Sequence, residues 1–369
     1  MTTSPPPAPQ TPSGSEEAGL GCYDRHQSYQ WNYDHAPAVV ELPVEPIAGE
    51  WTFCGKPVAS PLGMPAGPLL NGRWILYYAA LGFDVLTYKT VRSGPRPCYE
   101  LPNLQPVETG WLRGDETEVP GCEPMQGSWA VSFGMPSQDP ESWRRDIEWT
   151  REQLPEQKLL SVSVVATIQE GWTIEDTADD YARCAKWAAE SGADCIETNF
   201  SCPNVSTADG QLYQVPADAA VVAGRVREAI GELPYVIKIG HMPEPDRARE
   251  LLGAVSAHVD GIAMTNSVAT TVRMPDGEVL FDGQRRGICG RATLEASLEQ
   301  TRMFAGLVDQ AGLDLSLVGV GGASSASDVR AYLDAGAEAV HIATAAMVNP
   351  LTAQQVRQDW NRVAPPADE

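Results

Sequence analysis

The stretch Glu197-Thr198-Asn199-Phe200-Ser201-Cys202-Pro203-Asn204 brings two amides, a hydroxyl and a thiol together within a few positions. Cys195, Ile196 and Thr198 favour an extended, partly buried segment. Pro203 biases Cys202 away from helix, so the polar groups fall where a strand gives way to a loop. Asn199 and Asn204 each offer two donors and an acceptor. The cluster suits a planar polar molecule with amide edges, with Cys202 as acid or base against it. It also fits a plain strand end with turn residues and a buried thiol, since free cysteine commonly behaves as a small buried hydrophobe. The stretch alone leaves both readings open.

Further reactive residues recur along the chain. Ala66 and Gly67 are small enough for a flat ligand to approach the backbone. Lys89 and Thr90 close an apolar run, and so does a surface lysine in many proteins. Lys238 sits between Ile237 and Ile239, where an unpaired ammonium is costly; a barrel-interior carboxylate such as Glu197 would pair it. Thr265, Asn266 and Ser267 read as donors or as turn residues. Gly321 and Gly322 read as an anion site or a tight turn, and Ala343 and Thr344 follow the last apolar run.

The elements that must position these residues alternate. Strand-like runs are expected at 58–66, 84–89, 159–166, 194–201, 235–240, 261–266, 315–321 and 339–344. Helical segments are expected near 72–81, 141–154, 174–191, 217–232, 245–257, 293–311, 326–335 and 350–362. Eight strands alternating with helices is the count of a closed parallel (β/α)8 TIM barrel, in which chemistry gathers at the C-terminal strand ends. Each residue singled out above falls at or next to such an end. A doubly wound open sheet would carry G-x-G-x-x-G after its first strand, and that motif is absent there. Two connections, about 90–140 and 267–292, exceed simple loops and are expected to build or cover a pocket. Residues 1–20 are rich in Pro, Ser, Thr and Gly and read as a disordered tail. Residues 21–50 carry Tyr23, Tyr29, Trp31 and Tyr33 and read as an irregular arm packed on the body, with 51–369 forming the barrel.

On that barrel, Gly321-Gly322 and Ala343-Thr344 occupy the position of the usual phosphate site. Two lysines deeper in suit an electron-rich ring that becomes anionic on reduction. Together they point to flavin mononucleotide (FMN). A nicotinamide dinucleotide would need a second phosphate and ribose grip, and none is visible.

Composition narrows the classes further. The chain has 369 residues and a formal net charge of −23, which argues against a nucleic-acid-binding surface. No apolar run approaches the roughly 18 residues of a membrane span, and the N-terminus lacks a signal pattern. The eight cysteines are scattered without a C-x-x-C pair, and the five histidines show no H-E-x-x-H spacing, so no metal site is expected. A cytoplasmic protein with reduced thiols is the simplest expectation.

In this setting the chain resembles the dihydroorotate dehydrogenase family. The matching pieces are Met64-Pro65-Ala66-Gly67-Pro68, Thr87-Tyr88-Lys89-Thr90, Ser132-Phe133-Gly134-Met135-Pro136 and the Asn199 to Asn204 run. They continue with Ile237-Lys238, Thr265-Asn266-Ser267, Gly287-Ile288-Cys289-Gly290, Gly319-Val320-Gly321-Gly322 and Ala343-Thr344. They occur in family order over about residues 52–350. The resemblance implies an FMN-containing barrel that oxidises dihydroorotate to orotate, with Cys202 as the base. It implies substrate contacts from Lys89, Phe133, Gly134, Met135, Asn199, Asn204, Asn266 and Ser267. It implies cofactor contacts from Ala66, Gly67, Lys89, Thr90, Asn199, Lys238, Thr265, Gly290, Gly321, Gly322, Ala343 and Thr344. Cysteine rather than serine at 202 resembles the soluble branch, and Gly210-Gln211-Leu212-Tyr213 resembles its fumarate-using, homodimeric subgroup.

The chain departs from the family pattern on the substrate side. Val131 aligns where an asparagine usually holds the pyrimidine, and the insertion around 103–128 and the aromatic arm are additions. A second reading is therefore a same-fold FMN enzyme acting on another dihydropyrimidine or an enone-like metabolite. A third is a barrel that binds a phosphate ligand without redox chemistry.

Overall fold

Short stretches of Val, Ile, Leu, Ala and Gly, buried on both faces, form the central sheet, as expected of parallel strands covered by helices. The computed structural model describes residues 20–201 and 208–362. In chain order the strands are β1 (Trp51–Phe53), β2 (Lys56–Val58), β3 (Leu62–Met64), β4 (Val85–Val91), β5 (Leu104–Pro106), β6 (Glu118–Pro120), β7 (Ser128–Val131) and β8 (Leu159–Val164). They continue with β9 (Cys195–Asn199), β10 (Tyr235–Lys238), β11 (Gly261–Met264), β12 (Val268–Arg273), β13 (Arg286–Gly290), β14 (Ser316–Val320) and β15 (Ala339–His341). Strands β3, β4, β8, β9, β10, β11, β14 and β15 pair in that order, all parallel, and β15 closes on β3. This is the expected (β/α)8 barrel.

Helices return the chain between strands, and local sequence sets their starts. Asn71 caps the helix Gly72–Ala80, and Asp139 caps Pro140–Gln153 with proline in its first turn. Thr173 with Asp176, and Ser325 with Asp328, form reciprocal capping boxes for Ile174–Glu190 and Ala326–Asp334. The helix expected at 350–362 is preceded by a separate short turn, Thr344–Val348, and itself spans Thr352–Arg362.

Three features differ from the simple alternation. The run expected at 58–66 divides: Val58 belongs to an antiparallel hairpin of β1 and β2, and only Leu62–Met64 enters the barrel. Phe53 and Val58 pack against Val85, Leu159, Cys195, Val236 and Val318, so the hairpin plugs the barrel interior. Second, the two long connections meet. Strands β5, β7, β13, β12 and β6 form one five-stranded sheet, with Val131 paired to both Leu104 and Gly287. Third, the arm contains a helix, Tyr29–Asp34. Of the expected tail, only Leu20 lies within the described residues.

Candidate active site

The strand ends and the added sheet enclose a cavity. Its walls include Pro65 and Gly67 after β3, Lys238 at the end of β10, Asn266 after β11, Gly321 and Gly322 after β14, and Ala343 and Thr344 after β15. The added sheet contributes Leu104, Trp129, Val131, Cys289 and Gly290, and Phe133 follows β7. Chemistry residues scattered over nearly 300 positions thus face one space because parallel strands all end on the same side.

Two glycines show why small residues stand there. Gly290 has φ of 102°, and a Cβ on it would lie 2.3 Å from the Gly127 carbonyl oxygen. Gly322 has φ of 72°, and a Cβ there would approach the Gly290 carbonyl oxygen to 2.9 Å. The chain folds tightly enough at these points to leave backbone rather than side chains at the cavity wall. The amide N–H groups of Gly322, Ala323, Ala343 and Thr344 meet no acceptor among the described residues. Open amides clustered beyond β14 and β15 suit an anion.

Lys238 and Glu197 form a buried ion pair across β10 and β9, with Nζ 2.8 Å from Oε1. The pairing anticipated for a lysine in an apolar strand is therefore real, and it leaves Lys238 on the cavity wall as well. His341 lies beside this pair. Its ring stacks on Phe53, fills the space that a side chain on Gly63 would need, and has no hydrogen-bond partner among the described residues. Burial lowers its pKa to about 4; Glu197 opposes that shift and Lys238 adds to it.

On the other side of Gly67, Lys89 donates from Nζ to the Gly67 carbonyl oxygen at 2.8 Å and lies 4.2 Å from the centre of the Phe133 ring. Asn199 turns its amide to the Met135 sulfur at 3.5 Å and accepts from the Ser201 amide. Asn266 donates to the Ser201 carbonyl oxygen, tying the loop after β11 to the one after β9. Ser267 is buried beside it. Gly134 has φ of 73° and packs on Tyr99.

Some expected contacts point elsewhere. The Thr90 hydroxyl is 3.0 Å from that of Ser163, and the Thr265 hydroxyl donates to Gln300. Ala66 is buried without lining the cavity. Cys202 and Asn204 lie outside the described residues. The other thiols near the site are poor bases: burial pushes Cys289 up to about 12, against the pull of Lys238, and pushes Cys98 up to about 11, against that of Lys89.

Sequence reasoning passed over several wall residues. Trp129, Leu104 and Cys289 reach the cavity only because the two long connections pair. Arg291, held by Asp328 at 2.8 Å, follows Gly290 directly, and that adjacency was its one visible signal. Its guanidinium, paired with the Asp328 carboxylate, lines the same cavity as the open amides.

A family model described as dihydroorotate dehydrogenase matches residues 49–363. A dihydroorotate dehydrogenase from Dictyostelium discoideum is 29% identical over 320 residues, covering 82% of this chain and 86% of that protein. The catalytic subunit of an NAD(+)-type dihydroorotate dehydrogenase B from Desulforudis audaxviator is 28% identical over 286 residues, covering 77% and 81%. Among solved structures, the DHODH of Eimeria tenella in complex with ferulenol superposes with a TM-score of 0.73 at 16% identity, covering 96% of this chain and 93% of that one. That likeness shows the shared fold.

Proposed function

The chain belongs to the dihydroorotate dehydrogenase family of oxidoreductases, and from that premise we propose that it binds FMN and oxidises dihydroorotate to orotate. The observation that carries the reading is one cavity holding both Lys238 and the open amides beyond β14 and β15. The fit to FMN is good: the amides suit its phosphate, Lys238 suits its ring, and Pro65, Trp129 and Val320 offer apolar surface to a flat ligand.

In this reading Glu197 sets the position of the Lys238 ammonium before anything enters. Lys89, Asn199, Asn204, Asn266 and Ser267 hold the substrate's carboxylate and amide edges. Cys202 takes the proton from the carbon next to the ring carbonyl. Bound FMN supplies the acceptor for the hydride that leaves the neighbouring carbon. Anaerobic mixing with dihydroorotate tests the whole reading: the flavin band must bleach at the turnover rate. With a thiol as base, bleaching must quicken as pH rises from 6 toward ~8.5. A pH-independent rate with chemistry limiting would remove Cys202 from the role.

A second reading follows from Val131. It lies in the cavity wall with Leu104 and Phe133, where an apolar side chain offers no partner to an amide edge. It favours a dihydropyrimidine without that edge, or an enone-like compound. Failure of dihydroorotate to bleach a yellow protein would support it, whereas a colourless protein would support a phosphate-binding barrel without redox chemistry. No helix among the described residues is long and apolar enough to cross a membrane. A cytoplasmic homodimer of the soluble branch completes the proposal, and light scattering on the purified protein tests the dimer.

A further inference from the structure

Residues 20–50 have no part in the chemistry described so far, yet they are bound firmly to the barrel. Ser28 caps the helix Tyr29–Asp34. The buried Asn32 side chain donates to the Asp24 and Ser28 carbonyl oxygens and accepts from the Asp24 amide at 2.8 Å. The barrel helix Gly72–Ala80 holds the arm from beneath. Trp74 Nε1 donates to the Asn32 carbonyl oxygen at 3.0 Å, and Tyr77 donates to that of Gly21 at 2.9 Å. Asn71, the cap of that helix, donates to the Tyr33 carbonyl oxygen at 2.8 Å.

This docking delivers two aromatic rings to the site. Tyr23 and Tyr29 are each 7% exposed and meet Phe133 edge-on, with ring centres 5.8 and 6.0 Å away. Phe133 is pinned from the opposite direction. Its carbonyl oxygen accepts from the Tyr99 amide at 3.1 Å, and Asn103 bonds both the amide and the carbonyl of Ser132. The Lys89 ammonium lies over both rings, 4.2 Å from the centre of Phe133 and 5.2 Å from that of Tyr29. A cation over aromatic faces is attracted by their quadrupoles, more strongly where water is excluded.

We propose that the N-terminal arm is a working part of the active site, in which Tyr29, together with Phe133, cages the Lys89 ammonium and positions it for the substrate. Tyr29 is a positioning residue that acts through Lys89. The consequence for substrate rests on Lys89 being a substrate-side group, as proposed above; the cage itself does not. It also explains why an aromatic rather than an aliphatic residue stands at the start of the arm helix, where burial alone would accept leucine.

Full-length wild type, Tyr29→Leu and Tyr29→Phe test it by two readouts. The first is acetylation by acetic anhydride, resolved by mass spectrometry, with the exposed Lys186 as internal reference. Lys89 should react slowly in wild type and Tyr29→Phe, and about tenfold faster in Tyr29→Leu. The second is steady-state kinetics with dihydroorotate: KM should rise about tenfold in Tyr29→Leu with kcat within about twofold, and Tyr29→Phe should restore it. A Tyr29→Leu protein that melts lower but keeps wild-type labelling and KM would reduce the arm to a scaffold and overturn the proposal. Equal losses in Tyr29→Phe would overturn it too, because the ring would not be what holds the lysine. If Tyr29→Leu does not fold, Phe133→Leu removes the other wall, and unchanged Lys89 labelling there overturns the cage. A wild type that leaves dihydroorotate untouched refutes the functional reading instead, and the labelling alone then decides the cage.

Discussion

At the scale of single residues, the site separates its cysteines by environment. Cys289 and Cys98 remain thiols at neutral pH because burial raises them to about 12 and about 11. With Cys202 as the proposed base, Cys202→Ala should slow flavin bleaching by ~10²–10⁴-fold, the usual worth of a general base; Cys98→Ala should keep the wild-type rate to within about threefold. Stopped-flow absorbance reads both. His341 carries a second expectation. Its pKa is lowered by burial, so the folded state binds the proton less readily than the unfolded one. The stability this represents is whole above the unfolded value of about 6.5 and is lost as pH falls toward about 4. It amounts to roughly 3 kcal/mol at most. Melting temperature should therefore drop between pH 7 and 5, and His341→Gln should flatten that slope. The Lys238–Glu197 pair was legible in the sequence because a lysine among isoleucines demands a carboxylate. His341 was not, since nothing in Val340-His341-Ile342 says which side chain turns inward.

At the scale of elements, the barrel was legible and the added sheet was not. Alternating apolar strands and amphipathic helices leave a period that can be read off the chain, and all eight barrel strands stand where that period put them. Strands β5 and β6 have three residues each, too few to show a period; β5 pairs with β7 in the same connection, while the partner of β6 lies more than 100 positions away in β12. The divided run at 58–66 has a similar cause: the hairpin and the barrel strand are both apolar, and only the tertiary fold separates them. Gly290 joins the added sheet to the barrel wall. Gly290→Ala would force a Cβ to within 2.3 Å of the Gly127 carbonyl oxygen at a φ of 102°. The variant should purify with little bound flavin, measured as the ratio of visible to ultraviolet absorbance. The C-terminal helix Thr352–Arg362 makes the complementary case. Arg357 is buried, paired with Asp84, and donates to the Glu45 and Gly82 carbonyl oxygens. Arg357→Ala leaves Asp84 with Lys158 at 2.7 Å and the Ser60 hydroxyl. Because Asp84 stays paired, the cost should be that of the lost charge-assisted hydrogen bonds, about 2–3 kcal/mol in urea unfolding.

At the scale of the whole molecule, the formal net charge of −23 dominates. Like charges spread over one surface repel, and dissolved salt screens them over about 10 Å at 0.1 M. Raising NaCl from low to moderate concentration should therefore raise the melting temperature by a few degrees, measured by differential scanning fluorimetry. Surface pairs such as Arg145 with Glu141 respond in the opposite sense but contribute little, being exposed. A melting temperature that falls with salt would show that paired charges outweigh the net repulsion.

The sequence by itself determined the barrel, its strand ends and the family, because these depend on local period and on short ordered motifs. It also named Lys238, Asn266 and the paired glycines, which line one cavity because parallel strands bring their C-terminal ends together without further information. Only the tertiary structure decided what walls that site. Pairing of the two long connections put Trp129, Val131 and Cys289 at the cavity, and docking of the arm put Tyr23 and Tyr29 against Phe133 and Lys89. Those contacts span long separations and depend on shape and packing, which no local pattern encodes.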